Sequence, residues 1–266
     1  MFNPIYAPTT QFWIFLQVLA RVSALIAVGP AFSSTQVPAQ VKIWISVLLA
    51  AVMTPIAEHA LAGSSRLPTD MYTFAATLVL QVVVGVLMGF AASLILAAFQ
   101  FSGALLDLQI GFTMAQSLNP NSPGLASPIG QFQYFYALLL FLLANGHHIL
   151  IDALARSFAL VPTASLHLAG PSLMHLLTDL TFGSMVDGLM VAAPVAAVLL
   201  TVNLSFALLS RAMPQLNVFY VGMPVQILAG LMMLILVLPA TAVLAGHLVA
   251  NEPTILSGML RAMKGA

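Results

Sequence analysis

Charged and polar side chains are so sparse in this chain that each can be weighed singly. His147 and His148 follow Asn145-Gly146, with Asp152 and Arg156 just beyond. Imidazoles and carboxylates bind metals and carry protons. Adjacent residues on a helix point about 100° apart, however, so the two imidazoles do not converge on one ion. No HExxH or other ligand pair four residues apart accompanies them. A helix-end role, with the rings bonding the last carbonyls of a helix or reaching an interface, is the better reading. Asp152 precedes Arg156 by four residues, the favourable order for a helical ion pair. Arg21 and Asp107 lie in long apolar stretches, where an ionisable group normally faces protein or water. Arg21 reads as a structural contact to a partner helix. Asp107 has Gln109 and Gln116 near it, which suits a wet lumen; an ordinary helix end with a solvated loop suits it equally. No nucleophile elbow, phosphate loop, paired catalytic carboxylates or Ser/His/Asp arrangement stands out. No catalytic, cofactor-binding or metal-ligating residue is therefore assigned, and the chain does not read as an enzyme.

The elements that must position these residues are apolar almost throughout. Of 266 residues, 61% are hydrophobic and 5% charged, against the roughly 25% charged of ordinary soluble domains. The mean hydropathy is +1.05. So few charges cannot give the chain a hydrated surface, so lipid or other apolar protein must cover it. Seven Lys+Arg balance seven Asp+Glu without a basic run, which argues against a nucleic-acid partner. There is no cysteine, so disulfides, thiolate metal sites and cysteine nucleophiles are excluded. The opening MFNPIYAPTTQFWIF has no positive stretch before its apolar run, and reads as a retained helix rather than a cleaved leader.

A spanning helix needs about 20 mostly apolar residues. Six segments are candidates: Phe12 to Phe32, Ile43 to Ala57, Met71 to Gln100, Phe132 to Ile151, Gly188 to Ser210, and Ala212 to Asn251, the last broken by Pro214, Pro224 and Pro239. A moderately polar helix around His175 to Asp187 stands apart from the fifth. Strand alternation is absent, so the fold class is all-α and membrane-associated. The lengths fit a simple six-span bundle badly. The second segment rises only about 22 Å, short of the ~30 Å hydrocarbon core, and the last is too long for one span. The distribution of Lys and Arg does not settle orientation. Gly85 and Gly89 form a GxxxG that permits close helix approach.

Four stretches together carry a family resemblance: RVSALIAVGPAFSSTQVPAQVK from Arg21, LDLQIGFTMAQSLNP from Leu106 to Pro120, LLLFLLANGHHILIDAL from Leu138 to Leu154, and LLSRAMPQLNVFYVGMPVQILAGL from Leu208 to Leu231. In order and content they resemble the FliR family, flagellar biosynthetic proteins of the type III secretion export gate. The resemblance implies a helical array with FliP and FliQ in the flagellar basal body of the bacterial inner membrane, much of it raised above the bilayer plane. It implies a FliP-like helical region over 1–183 and a FliQ-like helical hairpin over 184–266. Further partners it implies are FlhB, FlhA, rod proteins and unfolded flagellar export substrates, besides the lipid membrane.

The same resemblance gives the central segment, about 103–128, a role as a pore plug. The residues it points to are Gln109, Gly111, Phe112, Met114, Gln116, Ser117 and Pro120. Gly111 and Pro120 interrupt any helix, Phe112 and Met114 supply bulk, and an unbranched Met adapts to chains of varied shape. Where relatives place aromatics, the aligned positions here are Met114 and Ser117, so the seal would lean on Met114 and Phe112. Arg211, Pro214, Gln215 and Asn217 correspond to the family's hairpin tip, which the resemblance places against FlhB. The alternative class is a secondary transporter of a small solute or ion, which broken helices and a buried acid would also suit.

Overall fold

The computed structural model describes residues 7–30, 32, 37–61, 71–112, 127–161, 171–213, 215 and 218–264. Seven helices account for nearly all of them: α1 Ala7–Val28, α2 Ala39–Leu61, α3 Met71–Ile110, α4 Pro128–Leu143, α5 Gly146–Leu160, α6 Pro171–Ala212 and α7 Val218–Lys264. No strand occurs among the described residues. The protein is an all-α membrane protein. Among the described residues, five helices are long and apolar enough to cross a membrane, six if α4 and α5 count as one broken span.

Local chemistry sets where the helices stop. The Gly29-Pro30 pair ends α1, with the Gly29 amide still bonded to the Leu25 carbonyl at 2.6 Å. α3 ends at Gly111, whose φ of +93° is open to glycine and costly for other residues. Between α4 and α5, Asn145 takes the left-handed conformation at φ +58°, which asparagine tolerates better than most side chains. Its carbonyl accepts from the amides of His148 and Ile149 at 2.9 and 3.2 Å and so starts α5.

Several helix bounds differ from those the hydropathy pattern suggests. α2 has 23 residues rather than about 15, which gives it a rise of ~34 Å and removes its apparent shortness. It gains this length by carrying Lys42 near one end and Glu58 and His59 near the other, which a purely apolar window excludes. The polar stretch 175–187 and the fifth segment are one 42-residue helix, α6, with Pro194 inside it. α7 continues for 47 residues, passing through Pro224, Pro239 and Pro253; only the region around Pro214 separates it from α6. A proline removes one backbone bond and kinks a helix, but helix neighbours in a membrane protein tolerate that loss. In the fourth segment the break lies instead at Asn145. At ~70 Å, α7 is more than twice the thickness of the hydrocarbon core, so much of it lies outside that layer.

Two compact units divide the chain. One takes its described residues from Met1–Leu94, Asn145–Leu180 and Ala250–Ala266. In it α1 packs on α2 and α2 on α5. α3 lies on α1 through two glycines: a Cβ on Gly85 would overlap the Arg21 carbonyl oxygen and sit 2.8 Å from Ala24 Cβ, and one on Gly89 would lie 3.0 Å from the Gly29 amide nitrogen. The other unit takes Ile95–Ala144 and Thr181–Val249. Its core is Leu106, Ile110, Ile129, Ala192, Val195, Leu199 and Leu234, and Tyr136 fastens α4 to α7 through a 2.8 Å bond to the Leu238 carbonyl. α6 runs without interruption past residues 183 and 184.

Candidate functional site

In the second unit the last turn of α3 and the first turn of α4 meet at a polar junction. Gly103, Asp107 and Gly111 are spaced by four along α3, so Gly103 and Asp107 share a face. The first turn of α4 lies on that face. A Cβ on Gly103 would overlap Gly130 Cα and come within 2.6 Å of the Gly130 nitrogen, so only a glycine lets the two backbones meet. One turn along, Asp107 is 1% exposed. Its carboxylate accepts a bond from the Ser127 hydroxyl. It also accepts the Ile129 amide at 3.3 Å (Oδ1) and 3.2 Å (Oδ2), and the Gly130 amide at 3.3 Å (Oδ2).

This junction leaves the start of α4 without an orphan donor. The first helical residue, Pro128, has no N–H to satisfy. The next two amides reach Asp107, and the Gly130 amide also bonds the Ser127 Oγ at 2.9 Å. The Gln131 amide closes the first helical turn on the Ser127 carbonyl at 2.8 Å. The positive end of the α4 dipole faces a carboxylate, which compensates a buried charge that has no cation bonded to it among the described residues. Asp107 is thus neither in a wet lumen nor at a solvated helix end. It is a buried cap that joins the last turn of α3 to the first turn of α4.

Of the residues assigned to the pore segment, Gln109 is half-buried in the last turn of α3 and Gly111 ends that helix. A Cβ on Gly111 would meet nothing within 4 Å. Phe112 packs against the core of the second unit. Met114, Gln116, Ser117 and Pro120 lie outside the described residues. Arg211 is exposed in the last turn of α6, and Gln215 is exposed after it. Pro214 and Asn217 lie outside the described residues.

A second polar centre lies in the first unit. Arg21, wholly buried, donates from Nε to Gln81 Oε1 at 2.6 Å, from Nη1 to Ser157 Oγ at 2.8 Å and from Nη2 to the Val161 carbonyl at 3.1 Å. Its guanidinium carbon sits 4.5 Å from the centroid of Phe158. One arginine so ties α1 to α3 and to the end of α5. Asp152 and Arg156 form an exposed ion pair at 2.8 Å. His147 and His148 occupy the first turn of α5, not the last turn of a helix, because Asn145 breaks the chain before them. Their ring centroids are 4.2 Å apart, and the buried His147 Nδ1 has no hydrogen-bond partner among the described residues. Glu252, 2% exposed on α7, has neither carboxylate oxygen bonded among them. No group of three or more His, Cys, Asp or Glu among the described residues could hold a metal ion.

Sequence reasoning missed Gln81, Ser157, Ser127, Gly103, Gly130 and Glu252. The Ser127-Pro128 pair before an apolar run is a readable helix start, and would have drawn attention to what caps it. Nothing local marks Gln81 or Ser157 as partners of a residue 60 and 136 positions away.

Residues 12–251 match the family model described as bacterial export proteins, family 1. The chain belongs to that family. Within it, the chain is 32% identical over 257 residues to the flagellar biosynthetic protein FliR of Pectobacterium carotovorum subsp. carotovorum, covering 94% of this chain and 92% of that protein. It is 29% identical to FliR of Escherichia coli strain K12, covering 91% and 90% of the two chains. It is 30% identical to FliR of Bacillus subtilis strain 168, covering 83% and 84%. The family's export role and this chain's apolar helices together make it a membrane-embedded component of flagellar export.

Proposed function

We propose that this export protein forms, with FliP and FliQ, the channel through which unfolded flagellar proteins cross the bacterial inner membrane, and that the 106–127 segment helps to plug it. It supplies shape and packing rather than bond-making chemistry. Residues 1–183 take the FliP-like part of the assembly and 184–266 the FliQ-like hairpin. FlhB, FlhA and the rod proteins are its further neighbours. Arg211 and Gln215, exposed at the end of α6, are the residues offered to FlhB.

The observation that carries this reading is the junction at Asp107 in a member of an export family. The helices that flank the central segment, α3 before it and α4 after it, are joined there by buried bonds to one carboxylate, which supports a segment anchored at its base. The apolar faces of the long helices support it as well. Leu200, Leu204 and Leu208 on α6, and Leu228, Met232 and Ile235 on α7, are largely exposed in the isolated chain. Helices so bare need neighbouring protein or lipid over most of their surface.

The test is made on the complex purified from membranes in mild detergent and reconstituted into vesicles. FliP and FliQ should co-purify at a fixed ratio, and removal of Gly111 to Ser117 should make the vesicles leak small solutes. FlhB retention should fall with Arg211→Glu combined with Gln215→Ala. A chain that purifies alone and takes up a solute by itself would be a transporter, and unchanged permeability after the deletion would remove the plug.

A further inference from the structure

Between α1 and α2, in the first unit, runs a groove of about 370 Å³. It spans residues 19–27 of α1 and 39–47 of α2, ~12 Å of each helix. Small side chains open it: Ser23 and Ala27 on one side, Ala39 and Ser46 on the other. Neither hydroxyl proton is offered to a ligand. The Ser46 Oγ donates to the Lys42 carbonyl at 2.7 Å and the Ser23 Oγ to the Ala20 carbonyl at 3.2 Å, so each is spent on its own helix. Among the lining residues only Lys42 is charged, and it stands in the first turn of α2.

That composition selects a class of ligand. A sugar or a nucleotide would leave its polar groups without partners along these walls. A helix of a neighbouring protein, ~10 Å across, would need roughly 900 Å³ over the same length, more than twice what the groove holds. A hydrocarbon chain with a negative head fits both the apolar walls and the cation at one end. The depth of Lys42 agrees. α2 is long and apolar enough to span from Ala39 onward, and Trp44, largely exposed, follows Lys42 by two residues; indoles gather at the membrane–water boundary. Ile43 at the groove, and Leu48 and Val52 beyond it, are largely exposed as well, so the chain's own helices leave this side of α2 bare.

We propose that the groove is a binding site for an anionic phospholipid of the surrounding bilayer. One acyl chain lies along Ala27, Ala39 and Val47, and the phosphate meets the Lys42 ammonium. The bound chain fills the gap that the small residues leave, so the hairpin reaches the packing density of a protein interior only with lipid in place. The site follows from membrane embedding alone and is independent of the plug.

The test uses the protein purified from membranes in mild detergent, with the subunits that accompany it, and reconstituted into vesicles. These contain phosphatidylglycerol or phosphatidylcholine, each with a diazirine on the same acyl chain. Light-induced adducts on this chain are mapped by mass spectrometry. With phosphatidylglycerol they should concentrate on 19–27 and 39–47, about fivefold over phosphatidylcholine, the ratio that one cation at headgroup depth supports. Lys42→Gln should bring the two lipids to equal yield, whereas Lys42→Arg should keep the difference. Ala27→Leu combined with Ala39→Leu should abolish the groove adducts of both lipids and leave those on Leu48 and Val52. Equal labelling of the unaltered groove by the two lipids overturns the proposal. So does labelling of Leu48 and Val52 as strong as that of the groove, which marks a lipid coat without a site. A photoreactive amino acid at position 39 that captures a second protein in place of phosphatidylglycerol makes the groove a subunit contact and overturns it too. If Lys42→Gln does not assemble, the leucine pair decides, and groove adducts undiminished by it refute the site.

Discussion

Arg21 and Asp107 are both ionisable and almost wholly buried, and among the described residues neither has an opposite charge bonded to it. They are nevertheless satisfied in different ways. Arg21 gathers side chains and a carbonyl from distant parts of the chain, so its bonds hold three helices of the first unit together. Asp107 takes backbone amides from a single helix start twenty or so residues on, so its bonds close a local turn of the second unit. An isolated buried charge is expensive. The first region meets that cost through the fork of the guanidinium, which spreads charge over several donors. The second meets it with the dipole of α4. Stability in the first region therefore depends on long-range packing. In the second, what depends on the charge is the direction of one helix.

The comparison is broken most directly at Arg21. Arg21→Met should cost about 3–5 kcal/mol, because Gln81, Ser157 and the Val161 carbonyl lose their donor inside the protein. Arg21→Lys should recover little of it, since an ammonium cannot reach three acceptors in a plane. Thermal unfolding of the detergent-solubilised complex reads both. A lysine variant as stable as the unaltered chain would show that charge alone, without the fork, suffices there.

The α1–α3 crossing sharpens the point at smaller scale. Gly85→Ala should cost about 1–3 kcal/mol through overpacking, because the added methyl meets the Arg21 carbonyl that the helix cannot move aside. Gly89→Ala meets its neighbours at 3.0–3.1 Å and should cost less. Gly85→Leu should reduce the yield of assembled complex. Equal stability of the two alanine variants would mean that the helices part easily, and that Arg21 alone holds the region.

The smallest effect belongs to the exposed pair. Asp152→Ala should change stability by no more than about 0.5 kcal/mol and lose even that in high salt. A larger loss in the same unfolding assay would give the surface of α5 a role that its solvent exposure does not suggest.

The long helices were legible because an uncharged run of thirty residues has few other destinies. Their ends were less so. Hydropathy windows stop at Lys42 and count Pro224 as a break, whereas a helix with protein or lipid neighbours tolerates a snorkelling cation and a missing amide. The Asp152–Arg156 pair was legible from spacing alone. The position of Asp107 was legible as unusual, but its use was not, because the partner that explains it is the amide edge of another helix and backbone carries no letter in the sequence. Arg21 was identified as a contact to another helix, yet Gln81 and Ser157 are ordinary residues until the fold brings them together.

The unbroken course of α6 has a practical consequence. A gene divided between residues 183 and 184 would yield two polypeptides, each with a sheared helix end, roughly four carbonyls bare on one and four amides on the other. Such fragments should complement each other poorly when co-expressed. A division between 213 and 218, where the chain already turns, severs no helix and is the natural place to nick this protein.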